Sequence, residues 1–114
     1  LAVTDVHGSQ TAVINTEHTL ADTSAAGTYQ LSVDPINMAA GDSVTLRIYE
    51  MVLTSGTRRV VYCATFTGVQ PTDDMIKISI PISTALTDSG AVRATLQQTA
   101  GTGRVFPWNL KKFA

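Results

Sequence analysis

Few residues in this chain combine a reactive type with a useful spacing. His7 and His18 are the two histidines, and neither has a second ligand at a metal-binding spacing. Cys63 stands alone, so no internal disulfide forms. Strand alternation sets it among Tyr49, Met51 and Val61, where a thiol reads as a small buried hydrophobe and not as a nucleophile. Asp73-Asp74 are adjacent carboxylates that a strand would point apart. After Pro71-Thr72 they read as turn-formers, with calcium binding the weaker alternative because oxygen ligands nearby are too few. Gly101-Thr102-Gly103-Arg104 has the look of a phosphate loop. A phosphate cradle needs a helix N-terminus behind its glycines, whereas here a strand containing Pro107 follows, so the segment reads as a turn. Ser9, Ser55 and Ser89 each adjoin a glycine, but none lies in a Gly-x-Ser-x-Gly elbow. Glu50 is the one carboxylate expected on a core face; Arg58 or the Tyr62 hydroxyl can satisfy it, and no second acid stands beside it. The chain therefore reads as non-enzymatic, with no catalytic, cofactor-binding or metal-ligating residues.

The elements are clearer than the chemistry. Ser43–Thr67 reads as two alternating strands joined by Thr54-Ser55-Gly56. A three-residue loop with Gly56 in the left-handed conformation pairs Leu53 with Thr57. That register puts Val44, Leu46, Ile48 and Val52 on the same side as Val60, Tyr62, Ala64 and Phe66, and it sets Glu50 opposite Val60. The other face carries Tyr49, Met51, Leu53 and Val61, apolar near the loop, which suggests that something covers it. Further strands are expected at Thr11–Glu17, Thr28–Asp34, Met75–Ile82, Ala91–Gln98 and Arg104–Leu110, with a helical turn in Ile36–Ala40. In Met75–Ile82 four isoleucines, Ile76 to Ile82, alternate with Met75, Lys77, Ser79 and Pro81. Trp108 is expected to plug the core. Leu1–Ser9 lacks a sustained pattern and reads as an extended N-terminal arm, followed by a single domain over 10–114.

About seven short strands with regular turn signals and no long helix predict an all-β fold, an antiparallel β-sandwich of jelly-roll or Ig-like type. A chain of 114 residues suffices for one domain with its own core. Its abundance of threonine and valine favours strands. The net charge of −1 hides an asymmetry: residues 1–57 hold six acids against one base, and residues 58–114 hold seven bases against three acids. That asymmetry suits contact between copies. No basic run with interleaved aromatics appears, which argues against a nucleic-acid partner. No stretch approaches the length of a membrane span, and Leu1–Ser9 does not resemble a secretion signal.

Three runs carry a resemblance taken together: Gly41-Asp42-Ser43-Val44-Thr45-Leu46-Arg47-Ile48-Tyr49, then Thr57-Arg58-Arg59-Val60-Val61-Tyr62, then the segment from Thr95 through Gly101-Thr102-Gly103-Arg104-Val105-Phe106-Pro107-Trp108. Over roughly Thr16 to Phe113 the chain resembles small virion structural proteins of tailed bacteriophages, of the kind found among head genes. The resemblance implies a capsid decoration or cement protein, or a head-completion component, and no cofactor. It further implies synthesis in the host cytoplasm, residence on the capsid surface, and as partners the major capsid protein and copies of the chain itself, a trimer included. The candidate contact residues are Leu1, Val3, Val6, Tyr49, Met51, Leu53 and Val61. The alternatives are a carbohydrate- or peptide-binding sandwich module, against which the scarcity of aromatics counts, and a head–tail or tail component of the same fold class.

Overall fold

In the computed structural model, which describes residues 3–113, alternation produces nine strands, and the order in which they pair defines the architecture. They are β1 (Val3–Thr11), β2 (Glu17–Asp22), β3 (Gly27–Val33), β4 (Ser43–Met51), β5 (Arg58–Thr67), β6 (Lys77–Ile78), β7 (Ile82–Thr84), β8 (Val92–Ala100) and β9 (Val105–Phe113), with a 3-10 turn at Thr72–Asp74. One sheet runs β1–β9–β3–β6, with β7 also on β3, and the other runs β2–β8–β4–β5. All pairs are antiparallel. With β6 and β7 taken as one interrupted strand, the first strand pairs with the last, the second with the next to last, and so inward to the β4–β5 hairpin. This nesting is that of a jelly roll.

The core lies between the two inner faces. Leu31 and Val33 of β3 with Phe106 and Leu110 of β9 face Val44, Leu46 and Ile48 of β4 with Val92, Ala94 and Leu96 of β8. Cross-strand pairs such as Leu46 with Leu96 and Leu31 with Leu110 place these rows in register. Trp108 packs against this cluster but stays half-buried, so it flanks the core without plugging it. Its strand partner is Gly8, and a β-carbon there would lie 3.4 Å from the indole.

Of the segment expected to be an extended arm, Val3–Ser9 lies in a strand. From Val3 to Thr11 every residue pairs with β9, so β1 is the edge of its sheet; Leu1 lies outside the described residues. The strand expected at Thr11–Glu17 is instead a turn, with Asn15 at φ 64°, and the ladder resumes at Glu17. No helical turn forms in Ile36–Ala40, where the backbone makes hydrogen-bonded turns. The isoleucine row is also reversed in part. Lys77 and Ser79 are buried while Ile76, Ile78 and Ile80 are exposed, and only Ile82 enters the core. The Ser79 hydroxyl accepts the Leu31 N–H where the ladder breaks between β6 and β7.

The hairpin register holds from Ser43–Thr67 to Ile48–Tyr62 and then slips by one. Val61 is the extra residue of a β-bulge, so Tyr49 pairs with Val60 and Glu50 with Arg59, not Val60. Val60 and Val52 are consequently exposed and not on the core side. The left-handed residue of the loop is Ser55, at φ 57°, and not Gly56. Gly56 is needed for another reason: a β-carbon there would come 2.7 Å from the Leu53 carbonyl oxygen, which the Gly56 N–H bonds.

One end of the sandwich is held by a buried acid. The Asp42 carboxylate, 1% exposed, accepts hydrogen bonds from Ala39 N–H at 2.8 Å, Thr102 N–H at 3.2 Å and Arg104 Nε at 2.7 Å. Gln98 completes the clasp, donating to the Ala100 and Thr102 carbonyls and accepting the Arg104 N–H. The Arg104 hydrogen bond is the main reason that the Asp42 carboxyl titrates below its ordinary 3.8, outweighing burial.

Two predictions follow from these contacts. Asp42→Ala strands two backbone donors and a guanidinium, and should cost about 3 kcal/mol in denaturant unfolding. Because the folded pKa is depressed, the stabilisation is complete above the ordinary value of 3.8 and is lost as pH falls through the lower folded value; the Asp42→Asn protein should show a shallower acid limb than the parent. In the loop, Ser55→Gly should raise stability by up to about 1 kcal/mol by relieving the left-handed residue, while Gly56→Val should lower it by about 1–3 kcal/mol through the clash with Leu53. A destabilising Ser55→Gly would contradict the loop geometry.

Candidate functional site

The outer face of the β2–β8–β4–β5 sheet carries a connected cluster of polar side chains. Alternation from the buried rows of β4 and β8 forces Arg47, Tyr49, Arg93, Thr95 and Gln97 outward, and β2 adds Glu17 and Thr19 beside them. Glu17 is the hub. Its Oε2 accepts the Tyr49 hydroxyl at 2.6 Å and the Thr95 hydroxyl at 2.7 Å, with Arg47 Nη1 at 3.7 Å. Burial pushes the Glu17 carboxyl up, but the Tyr49 and Thr95 hydrogen bonds and the charges of Arg47 and Arg93 outweigh it, leaving the group below its ordinary 4.5. Arg93 is held by both Asp22 oxygens at 2.7 and 3.0 Å. Glu17, Thr19, Tyr49, Arg93 and Thr95, with Gly56, Thr57 and Arg58 at one side, line a shallow cleft of about 490 Å³.

Chemically this cluster is satisfied rather than poised. Its hydrogen bonds and the neighbouring arginines favour the ionised form of Glu17, and the bond to Glu17 favours the protonated form of the Tyr49 hydroxyl. Among the described residues no group of three His, Cys, Asp or Glu side chains is placed to hold a metal ion. His7 pairs with Asp5 at 3.1 Å on β1, and His18 Nε2 accepts the Val13 N–H at 3.0 Å. Cys63 is exposed on β5, not buried as alternation against Tyr49 and Met51 suggested: its register partner is Arg47, on the side of the sheet away from the core. Asp73 and Asp74 do form a turn, within the 3-10 segment.

The candidate contact residues do not form one patch. Val3 and Val6 are exposed on β1, which neighbours β2, whereas Leu53 and Val61 are exposed on the β4–β5 hairpin. Lys77 of β6 lies over the Phe66 ring of β5, so the β5 edge is on the opposite side of the sandwich from β1. Tyr49 is half-buried in the Glu17 cluster. Met51 is corrected: at 7% exposure it is a buried residue and contributes no surface. Its backbone N–H bonds the Ala91 carbonyl, and Arg58, its cross-strand partner, reaches the Gly90 carbonyl at 3.4 Å.

Sequence reasoning passed over the residues that fix the hairpin tip. Asp88 accepts the Thr54 hydroxyl and the Ser55 N–H, both at 2.7 Å, across a separation that no local pattern marks. The Ser55 bond, with that from Thr54, holds the Asp88 carboxyl below its ordinary value. On this clamped loop Val52 is 79% and Leu53 73% exposed. Comparison with protein-family models, with curated proteins and with solved structures finds no match.

The Glu17 cluster gives a direct test. Tyr49→Phe removes the strongest hydrogen bond to the carboxylate, so the Glu17 pKa should rise toward 4.5 in an NMR titration, with a stability loss of about 1 kcal/mol or less for so exposed a pair. An unchanged Glu17 titration would show that the hydroxyl is not bound there in solution.

Proposed function

We propose that this chain is a non-enzymatic structural virion protein, a decoration or cement subunit seated on the capsid surface of a tailed-phage head. It acts by mass action: a subunit that binds the assembled shell and not its dissociated parts stabilises the shell. The observation that supports this reading best is the hairpin tip. Val52 and Leu53 are presented to solvent on a loop that Asp88 clamps, so an apolar knob is ordered in advance of contact. An exposed apolar feature held rigid is suited to being covered by another surface. The exposed row Ile76, Ile78 and Ile80 offers a second such contact.

The carbohydrate-module reading would draw on the Glu17–Tyr49 cleft. Its one aromatic, Tyr49, spends its hydroxyl on Glu17, and the cleft offers no stacked platform. The knob favours the assembly reading.

Leu53→Asp puts a charge where a dry contact is required, at a side chain that is 73% exposed in the domain. The variant should keep the parent far-UV circular dichroism and thermal midpoint while its occupancy on tailed-phage heads lacking the protein falls about tenfold or more at limiting concentration. Equal occupancy for Leu53→Asp and for Ile78→Asp would remove the basis of the proposal.

A further inference from the structure

We propose that the cleft on the outer face of the β2–β8–β4–β5 sheet binds a small hydroxylated carboxylate, with the ligand's carboxylate on Arg58 and its hydroxyls on Glu17, Thr19 and Thr57. This goes beyond the virion reading and does not depend on it, because it concerns the isolated chain and a free small molecule.

The hairpin supplies the wall that an open sheet face lacks. Gly56, Thr57 and Arg58 line the cleft together with Glu17 and Thr19 of the edge strand β2. Thr54 and Ser55, which lead into that wall, are both bound by Asp88. The wall is therefore anchored in the absence of a ligand, which lowers the cost of ordering it on binding.

The charges around the cleft do not balance. Arg47, Arg58 and Arg93 stand against two acids, Glu17 and Asp22, leaving an excess of one positive charge. Both Asp22 oxygens are taken by Arg93, and Arg47 lies 3.7 Å from Glu17. Arg58 is the cation left over: among the described residues it has no carboxylate within 4 Å. It is half-buried, yet its hydrogen bond to the Gly90 carbonyl is long, at 3.4 Å. A guanidinium with most of its donors unused matches the two oxygens of a carboxylate. A single excess charge, with Glu17 nearby, suits a monoanion better than a phosphate carrying two.

The remaining polar groups define the rest of the ligand. Glu17 accepts both the Tyr49 and the Thr95 hydroxyl through Oε2, so Oε1 is left to accept from elsewhere. Thr19 and Thr57 add two exposed hydroxyls to the lining. An open carboxylate oxygen takes donors, a threonine hydroxyl gives or accepts, and ligand hydroxyls answer both. A neutral sugar would leave the Arg58 charge unanswered and would find no aromatic platform to stack on.

NMR titration of the isotope-labelled chain at low salt tests this, with D-glucuronate, D-glucose and acetate as probes. Glucuronate should shift the amides of Thr19, Thr57, Arg58 and Thr95 saturably in the millimolar range. Glucose and acetate each carry half of the chemistry and should bind about tenfold more weakly or worse. Arg58→Gln should weaken glucuronate binding about tenfold while keeping the parent circular dichroism and thermal midpoint. Arg59→Gln removes the same charge from outside the cleft and should leave binding unchanged. The proposal is overturned if glucuronate gives no saturable shift, if the shifts centre on Arg59 or Lys112, or if glucose or acetate binds equally well. It is also overturned if Arg58→Gln binds as the parent does, or if Arg59→Gln is equally impaired. Because no particle is involved, this test can fail while capsid binding succeeds, and the reverse.

Discussion

The constraint on which everything else hangs is that four central strands must each bury one side. β3 and β9 in one sheet and β4 and β8 in the other carry the residues with almost no accessible surface, Leu31, Val33, Val44, Leu46, Ile48, Val92, Leu96 and Phe106. With a period of two, burying Leu46 and Ile48 on one side commits Arg47 and Tyr49 to the other. The outer cluster around Glu17 is thus a by-product of core formation. Its charges find partners on the neighbouring strands because β2 and β8 bring a carboxylate, an arginine and a threonine alongside.

A single inserted residue then redirects the hairpin. Were Val61 not an extra residue, Val60 would join Tyr62 on the core side and Glu50 would lie opposite it. The bulge instead pairs Glu50 with Arg59 and turns Val60 to the surface. Bulges raise local twist and bend the strand that carries them. Beyond this one the chain leaves the sandwich plan, and Met51 is buried while Val52 and Leu53 are not. The clamp by Asp88 makes that departure a fixed shape and not a frayed end.

At the opposite end of β4 the same device recurs with a buried acid. Asp42 and Gln98 take up the backbone groups of the β3–β4 and β8–β9 connections, which have no ladder partners. Gly101, at φ +91°, lies so close that a β-carbon there would overlap the Asp42 carboxylate. Both carboxylates accept loop backbone N–H groups, and each takes one from a distant part of the chain, Thr102 for Asp42 and Ser55 for Asp88.

Alternation alone determined the all-β class, the two-sheet layering, the strands β3, β4, β5, β8 and β9 to within a few residues, and the pairing of Ser43–Ile48 with Tyr62–Thr67. These follow from local periodicity, since one buried face per strand leaves a readable trace in residues two apart. Gly101–Arg104 and Asp73-Asp74 were legible as turns for a similar reason, the residue types being local turn-formers. The N-terminal strand was not legible. β1 buries little of either face, so its pairing with β9 rests on backbone hydrogen bonds, which no side-chain pattern reports. The Ile76–Ile80 row misled because hydrophobicity gave the period but not the phase: Lys77 turns inward over the Phe66 ring and Ser79 accepts the Leu31 N–H, which leaves the isoleucines between them outside. The bulge at Val61, the burial of Met51 and the exposure of Cys63 depend on which strand stands at an edge and what lies beside it. Those are properties of strand order, and only the tertiary structure decides them.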